Sequence, residues 1–264
     1  MNRNKPAIVT EDPWSGLTRF TEARIGLGRC GTSPPLSEIL RFRKSHASAR
    51  DAVHKKMAVD AIAAELSGSG IETILLSSGV TDRAEYLTRP DLGRQLDEAS
   101  RQKLSGVDAG EMVDICLVVA DGLSARAIHE SGAEFVSRFL PLAEHAGLRV
   151  APVCLVENGR VAIGDEIGYC FNAKMAVICI GERPGLKSPN SMGIYLTFNP
   201  RPSITDAYRN CISNVRDGGM TVAQAVVKTA YLVEAALDLG ATGVALKDRM
   251  SPEYLPFSGV AGDK

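Results

Sequence analysis

The chain has 264 residues, of which 45% are apolar and 23% are charged, and its formal net charge is −1. This is the composition of a folded protein with a sizeable core, and the near-zero charge argues against an electrostatic nucleic-acid binder. No apolar run approaches the roughly 20 residues that span a bilayer, and no apolar signal core follows the basic start. We therefore expect an intracellular protein that does not enter the membrane.

The N-terminal part of the sequence predicts three helices. Leu17 and Phe20 have helical spacing within residues 14–28, although glycines weaken the end of that segment. A second helix is predicted over residues 35–53, after an N-cap and a first-turn proline, and a third over residues 58–67. We interpret residues 1–68 as an N-terminal helical extension.

The predicted helix over residues 35–53 is strongly basic, with Arg41, Arg43, Lys44 and Arg50 on its polar faces. A charged helix face is most often simply solvated. The same composition also fits a helical arm that docks on a partner. Composition leaves both interpretations open.

After residue 68 the apolar pattern alternates between strands and helices. The strands are apolar throughout, which is typical of a parallel sheet that is covered on both faces. Residues 69–264 therefore predict a doubly wound α/β domain, with a mostly parallel sheet and helices on both faces. The predicted strands are 71–77, 113–120, 150–156, 175–180 and 194–198, and the predicted helices are 92–104, 124–146 (with a possible break at Gly132), 164–171 and 221–239.

Two of these strands end in loops that are suited to a ligand. The strand at 175–180 leads into Gly181, Glu182 and Pro184, where glycine permits close backbone approach and proline stiffens the loop. Ligands of open α/β sheets bind at this edge, and such a loop suits a large, amide-rich ligand. The strand at 113–120 leads into Asp121 and Ser124, which could face a ligand or cap the next helix.

Standard catalytic and metal motifs are missing from the sequence. No Gly-x-Gly-x-x-Gly follows a predicted strand, and there is no phosphate-binding Gly-Lys-Ser/Thr, no Gly-x-Ser-x-Gly and no Cys-x-x-Cys among the six cysteines. The four histidines fall on predicted helices without metal spacing. Asp165 and Glu166 form a candidate acid pair, but they are better explained as charges that favour a helix N-terminus.

An ordered set of short motifs resembles the small (light) subunit of adenosylcobalamin-dependent ethanolamine ammonia-lyase. Each motif alone is weak, whereas the set runs through almost the whole chain. The motifs are RFTEARIGLGR at 19–29, YLTRPDLGR at 86–94, DGLS at 121–124, GRV at 159–161, GDEIG at 164–168, GERPGL at 181–186 and RNCISN at 209–214.

The resemblance implies a cofactor, a partner and a reaction. Adenosylcobalamin would lie between this chain and a large TIM-barrel subunit that binds ethanolamine, and the hetero-oligomer would convert ethanolamine to acetaldehyde and ammonia by radical chemistry. Family contacts to the cofactor fall on Val161, Glu182 and Cys211. No Asp-x-His-x-x-Gly is present, so the cofactor's own benzimidazole is expected to stay on cobalt.

Three further expectations complete the sequence-based hypothesis. Family members that enter a bacterial microcompartment tend to carry a longer N-terminal extension, so we expect this chain in the cytoplasm, with a microcompartment as the less favoured alternative. The tail from Arg249 to Lys264 matches no motif and is expected to be mobile. The alternative function is that of a non-catalytic corrinoid- or nucleotide-binding α/β protein.

Overall fold

The centre of the molecule is a sheet whose middle strands are apolar on both faces. The computed structural model describes residues 8–106 and 112–257. Every residue of β2 (Ile115–Ala120) and β4 (Met175–Gly181) is buried. Continuous burial is what a strand experiences when helices cover both of its faces. The apolar runs at these two positions therefore form strands, as the sequence predicts.

The sheet has six strands in the order β1-β3-β2-β4-β5-β6, with β1 at Thr73–Ser77, β3 at Val153–Glu157, β5 at Met192–Phe198 and β6 at Arg209–Val215. The first four strands in this order are parallel to each other, and β5 is antiparallel to both of its neighbours. The connection from β4 to β5 is too short for a helical crossover, so the chain returns as a hairpin. The predicted, mostly parallel α/β sheet is confirmed.

Two separate apolar clusters lie on the two faces of the sheet. Helices α2, α5 and α7 cover one face, and α4 and α6 cover the other. The predicted covering of both faces is therefore confirmed. The helices are α1 (Leu36–His54), α2 (Val59–Gly68), α3 (Arg83–Thr88), α4 (Glu98–Ser105), α5 (Ala125–His145), α6 (Ile163–Cys170) and α7 (Val222–Leu239).

The predicted helix over residues 14–28 is wrong. Only a 3-10 turn forms there, at Ser15–Arg19, and a loop follows it. Gly26 has a φ of +60°, and a Cβ atom at this position would lie 2.7 Å from the Cα of Ser15. The loop folds back tightly because glycine tolerates this left-handed conformation. The helices predicted over 35–53 and 58–67 are present, and the division of the chain at residue 68 stays a prediction.

Local capping explains where the shorter helices differ from the helices that the sequence predicts. Asp97 accepts a hydrogen bond from the Ser100 N–H at 2.7 Å and starts α4, so the predicted helix over 92–104 is split into a 3-10 turn and α4. Helix α3 was not predicted, and its N-cap is Asp82. Helix α5 passes through Gly132 without a break.

The sequence also missed β6. In β6 the buried residues Arg209, Ile212 and Val215 are separated by pairs of residues that are not buried, most of them polar, so the strand lacks the apolar run by which the other strands were recognised. Phe257 is buried, and its ring centroid lies 6.2 Å from that of Phe139. The tail thus contacts α5 through Phe257, although residues 251–256 are mostly exposed. Its last seven residues lie outside the described part, and the mobility of the tail stays a prediction. Within the described residues, no helix has the length and apolar character to cross a bilayer.

All four histidines lie on helices, as predicted, but His129 also has a structural role. Its Nε2 accepts a hydrogen bond of 2.8 Å from the backbone N–H of Ala58, and so joins α5 to the start of α2. Partial burial lowers the pKa of His129, Lys55 lowers it further, and Glu130 opposes both. The imidazole must be neutral to accept this bond.

We predict that this contact makes the free energy of unfolding sensitive to pH. The pKa of His129 is lower in the folded than in the unfolded protein, so its contribution is present above about pH 6.5 and decreases as the pH falls below that value. In urea unfolding, the free energy of unfolding of the wild type should fall more between pH 7.5 and 5.5 than that of His129→Gln. The amide oxygen of this variant can accept the hydrogen bond but does not titrate. Identical pH profiles would contradict this assignment.

Candidate functional site

The loops that follow β2, β3 and β4 meet at the carboxyl edge of the sheet and border a cleft of about 400 Å³. We call it the carboxyl-edge cleft; its lining includes Tyr86, Leu123, Arg160, Val161, Glu182 and Tyr195. The carboxyl ends of parallel strands lie at one edge, where open α/β sheets bind ligands. Residues that are distant in the sequence thus share one surface.

The loops after β2 and β4 are in direct backbone contact. The Leu123 N–H donates to the carbonyl of Gly181 at 2.8 Å. A Cβ atom on Gly181 would lie 2.1 Å from the carbonyl oxygen of Ser124, and one on Gly122 would lie 2.2 Å from that of Gly181. Glycine at 181 is therefore required by a close approach within the chain itself, and the approach of a ligand to this loop stays a prediction.

Glu182 follows this contact immediately and projects beside β5. Its Oε2 accepts a hydrogen bond from the Ser191 hydroxyl at 2.6 Å and a longer one from the Asn214 N–H at 3.5 Å. Its Oε1 occupies space next to Gly193, where a Cβ atom would lie only 2.8 Å away. In the described part of the chain no basic side chain forms an ion pair with Glu182. Its carboxylate therefore retains capacity to accept further hydrogen bonds from a ligand.

Cys211 lies opposite Tyr195 in the pairing of β5 with β6. Its thiol is partly sheltered where it meets the Tyr195 side chain, although the residue as a whole is exposed. Burial raises the pKa of the Cys211 thiol, the Tyr195 hydroxyl lowers it, and the charge of Glu182 raises it. The thiol is therefore protonated at neutral pH, which does not suit a nucleophile or a thiolate ligand.

Val161 lies in the turn between β3 and α6, where it is half-buried against the apolar cluster that also contacts Tyr195. Val161 and Glu182 line the carboxyl-edge cleft together. Cys211 is not among the lining residues, but it contacts Tyr195, which is. The structure thus places the three predicted residues around one region, and their binding role stays a prediction.

Sequence patterns did not predict the arginine–tyrosine contacts beside the cleft. The Tyr86 ring lies between two guanidinium groups, with the Cζ of Arg83 4.5 Å and the Cζ of Arg160 4.2 Å from its centroid. Arg160 also donates to the Tyr86 carbonyl at 2.9 Å, and the Tyr86 hydroxyl donates to the Gly159 carbonyl at 3.1 Å. Each cation–π contact of this kind contributes roughly 0.5–2 kcal/mol to holding the two side chains together.

The loop after β2 is occupied by internal contacts. Asp121 forms a buried ion pair with Arg83 at 3.1 Å, and burial raises the pKa of its carboxyl to about 6 while Arg83 lowers it. Ser124 caps α5 by accepting from the Ala127 N–H, and its hydroxyl donates to the Pro189 carbonyl at 2.7 Å. The capping interpretation is confirmed for Ser124.

The candidate acid pair of the sequence is divided between two structural ion pairs. Asp165 is buried against Arg209, and Glu166 pairs with Arg101 at 2.7 Å and accepts from the Leu96 N–H. Both acids do lie in the first turn of α6, as predicted. Within residues 8–106 and 112–257, no group of three or more histidine, cysteine or acidic side chains could hold a metal ion.

Comparisons with known proteins agree over most of the chain. The family model of the ethanolamine ammonia-lyase light chain (EutC) matches residues 11–247. The ethanolamine ammonia-lyase small subunit of Ralstonia nicotianae is 50% identical over 245 residues, which cover 92% of this chain and 91% of the relative. The corresponding subunit of Pseudomonas syringae pv. tomato is 48% identical over 250 residues, covering 94% and 87%. That of Pseudomonas aeruginosa is 48% identical over 256 residues, covering 96% and 94%.

The backbone contact at Gly181 generates a stability prediction. In Gly181→Ala the new methyl group meets two backbone carbonyls, of Ser124 and Asp121, which cannot move without separating the loops. We expect a loss of about 1–3 kcal/mol in the free energy of unfolding. Gly185→Ala is the matched control in the same loop, because its nearest neighbour is the Ser188 side chain at 3.0 Å. Equal urea midpoints for the two variants would contradict the proposed constraint.

Proposed function

The chain belongs to the ethanolamine ammonia-lyase light-chain family, and from this membership we propose that its carboxyl-edge cleft binds adenosylcobalamin. The complex with the large subunit would convert ethanolamine to acetaldehyde and ammonia. The observation that carries the proposal is that Val161 and Glu182 share one cleft, with Cys211 beside it. A cytoplasmic location stays part of the proposal.

The chemistry of the cleft fits a corrinoid. The rim of a corrin ring carries amide groups, which need both hydrogen-bond acceptors and donors. Glu182 offers carboxylate oxygens. Arg160 lines the same cleft, and its Nε is buried without a hydrogen-bond partner in the described part of the chain. An unpaired buried donor costs free energy unless a ligand satisfies it.

Each proposed contact has a distinct physical role. Glu182 would accept from amide N–H groups or from a ribose hydroxyl, and its hydrogen bond from Ser191 holds it in place. Val161 would give apolar and backbone contact to a broad ring. Cys211 would contribute a small, uncharged side chain beside Tyr195 and thus allow close approach.

The cleft is open, and its size supports a two-subunit site. A corrin ring with its nucleotide tail is larger than about 400 Å³, so this chain would enclose only part of the cofactor. When bound, adenosylcobalamin supplies the radical that starts the deamination. The residues of this chain would bind and orient the cofactor and exclude water from one side, and the large subunit would cover the other side and bind ethanolamine.

We predict that catalysis requires both subunits. The purified chain should release no ammonia from ethanolamine, with or without adenosylcobalamin, because the proposal assigns the binding of ethanolamine to the large subunit. Addition of the large subunit and the cofactor should restore ammonia release. Turnover by the chain alone would contradict this division of labour, and nucleotide copurifying without corrinoid would favour the alternative of a nucleotide-binding protein.

Replacing Glu182 tests the site directly. In the assembled complex, Glu182→Ala should weaken cobalamin binding by about 1–3 kcal/mol, because a partly buried acceptor is lost. Glu182→Gln is the matched control, since it keeps one acceptor oxygen and the shape of the side chain and should lose less. The measurement is the corrinoid absorbance retained after gel filtration, with thermal melting of both variants to confirm folding. Unchanged retention in Glu182→Ala would remove this residue from the site.

A further inference from the structure

The N-terminal arm, residues 8–50, is ordered without an apolar core. Pro35 is its only buried residue. The arm is held by polar contacts instead. Thr10 and Arg29 exchange backbone hydrogen bonds at 2.8 and 2.9 Å, and the Arg24 guanidinium donates to the carbonyl of Glu38 at 2.7 Å. Its apolar side chains therefore remain available.

The arm carries half of the sixteen large apolar side chains that are exposed in the described part of the chain. Trp14 is 68% exposed, Phe20 is 73% exposed and Phe42 is 43% exposed. Leu36 and Leu40, four residues apart on one side of α1, are 68% and 54% exposed. Such a concentration on a short segment is typical of an interaction surface.

The arm borders the edge of the sheet that carries the carboxyl-edge cleft. A second cleft of about 700 Å³ is lined by the arm, including Arg19 and Phe20, and by Lys187 of the loop between β4 and β5. The same loop supplies Glu182 to the carboxyl-edge cleft. A further contact joins the arm to the residue that follows β6. Glu22 of the arm forms an ion pair of 3.3 Å with Arg216. One covering protein could therefore contact both surfaces.

The charge of the arm indicates the kind of partner. Residues 8–50 contain seven basic and four acidic side chains and thus have a net charge of +3, although the whole chain has −1. Two copies of the arm would repel each other, whereas an apolar surface rimmed by carboxylates would be complementary. Buried aromatic side chains remove roughly 150–250 Å² each. At their exposed fractions of 68%, 73% and 43%, Trp14, Phe20 and Phe42 would supply about a third to a half of the roughly 800 Å² per partner in a stable interface.

We infer that the arm is a docking surface for the large subunit of the complex, through Trp14, Phe20 and the exposed side of α1. This inference rests on the proposed function. It adds which surface of this chain binds the partner and what the partner offers there, an apolar patch with an acidic rim. The interface would extend from the arm, across the loop between β4 and β5, to the cofactor cleft.

Paired variants test the inference. Trp14→Ser combined with Phe20→Ser should weaken binding to the large subunit of the same organism about tenfold or more, because aromatic side chains dominate interface energies. The matched control is Val244→Ser, since Val244 is 70% exposed but lies near Tyr208, at the opposite edge of the sheet. Thermal melting should be unchanged in every variant, because none of these side chains is buried.

Oxidative footprinting of the unaltered complex gives an independent readout. Hydroxyl-radical oxidation of Trp14, the one tryptophan of the sequence, should fall at least fivefold when the large subunit is added, with adenosylcobalamin omitted. Unchanged oxidation of Trp14 in a complex confirmed by gel filtration would overturn the inference while leaving the proposed function intact. Protection that rises with the concentration of this chain alone would assign the surface to a second copy and would also overturn it. If the unaltered chain fails to bind the large subunit, the proposed function itself fails.

Discussion

The arrangement of the site depends on one contact between two backbones. The carbonyl of Gly181 accepts from the Leu123 N–H, and Gly122 turns beneath it with a φ of +52°. Neither glycine has room for a Cβ atom, so the loops after β2 and β4 approach more closely than any other residue would permit. Glu182 is the next residue along the chain, and its position is consequently fixed by backbone packing. A side chain held in this way loses little conformational entropy when a ligand binds.

Two buried ion pairs fix the elements around this contact. Arg83 of α3 reaches Asp121 after β2 and also donates to the carbonyl of Val53 at 2.7 Å, while Arg209 at the start of β6 reaches Asp165 in α6. A buried pair adds little net stability compared with apolar packing, but loss of one partner is costly. These pairs therefore act mainly by specifying position. The Arg83–Asp121 pair positions α3, which contains Tyr86. The Arg209–Asp165 pair positions β6, which contains Cys211.

The sequence predicted what depends on local pattern and missed what depends on tertiary contact. The apolar runs of β2 and β4 could be recognised, and the end of β4 placed Glu182 at a binding edge. Strand β6 could not, because its buried residues are separated by polar ones. The Tyr86–Arg160 contact joins residues 74 positions apart, so no local sequence pattern predicts it. The assignment of Val161 and Cys211 came from motif resemblance, since neither residue type has chemistry that identifies a corrinoid site.

The chemical character of the carboxyl-edge cleft fits the proposal that a second subunit completes the site. Burial raises the pKa of the Tyr86 and Tyr195 hydroxyls and of the Cys211 thiol, so all three are neutral and keep their protons near pH 7. Neutral donors and a carboxylate that is held by Ser191 can bind an amide-rich ligand through hydrogen bonds. In the proposed complex, the reacting groups come from the open side of the cleft. The exposed apolar side chains of the arm border the same edge, and a single partner that covers it would satisfy both requirements.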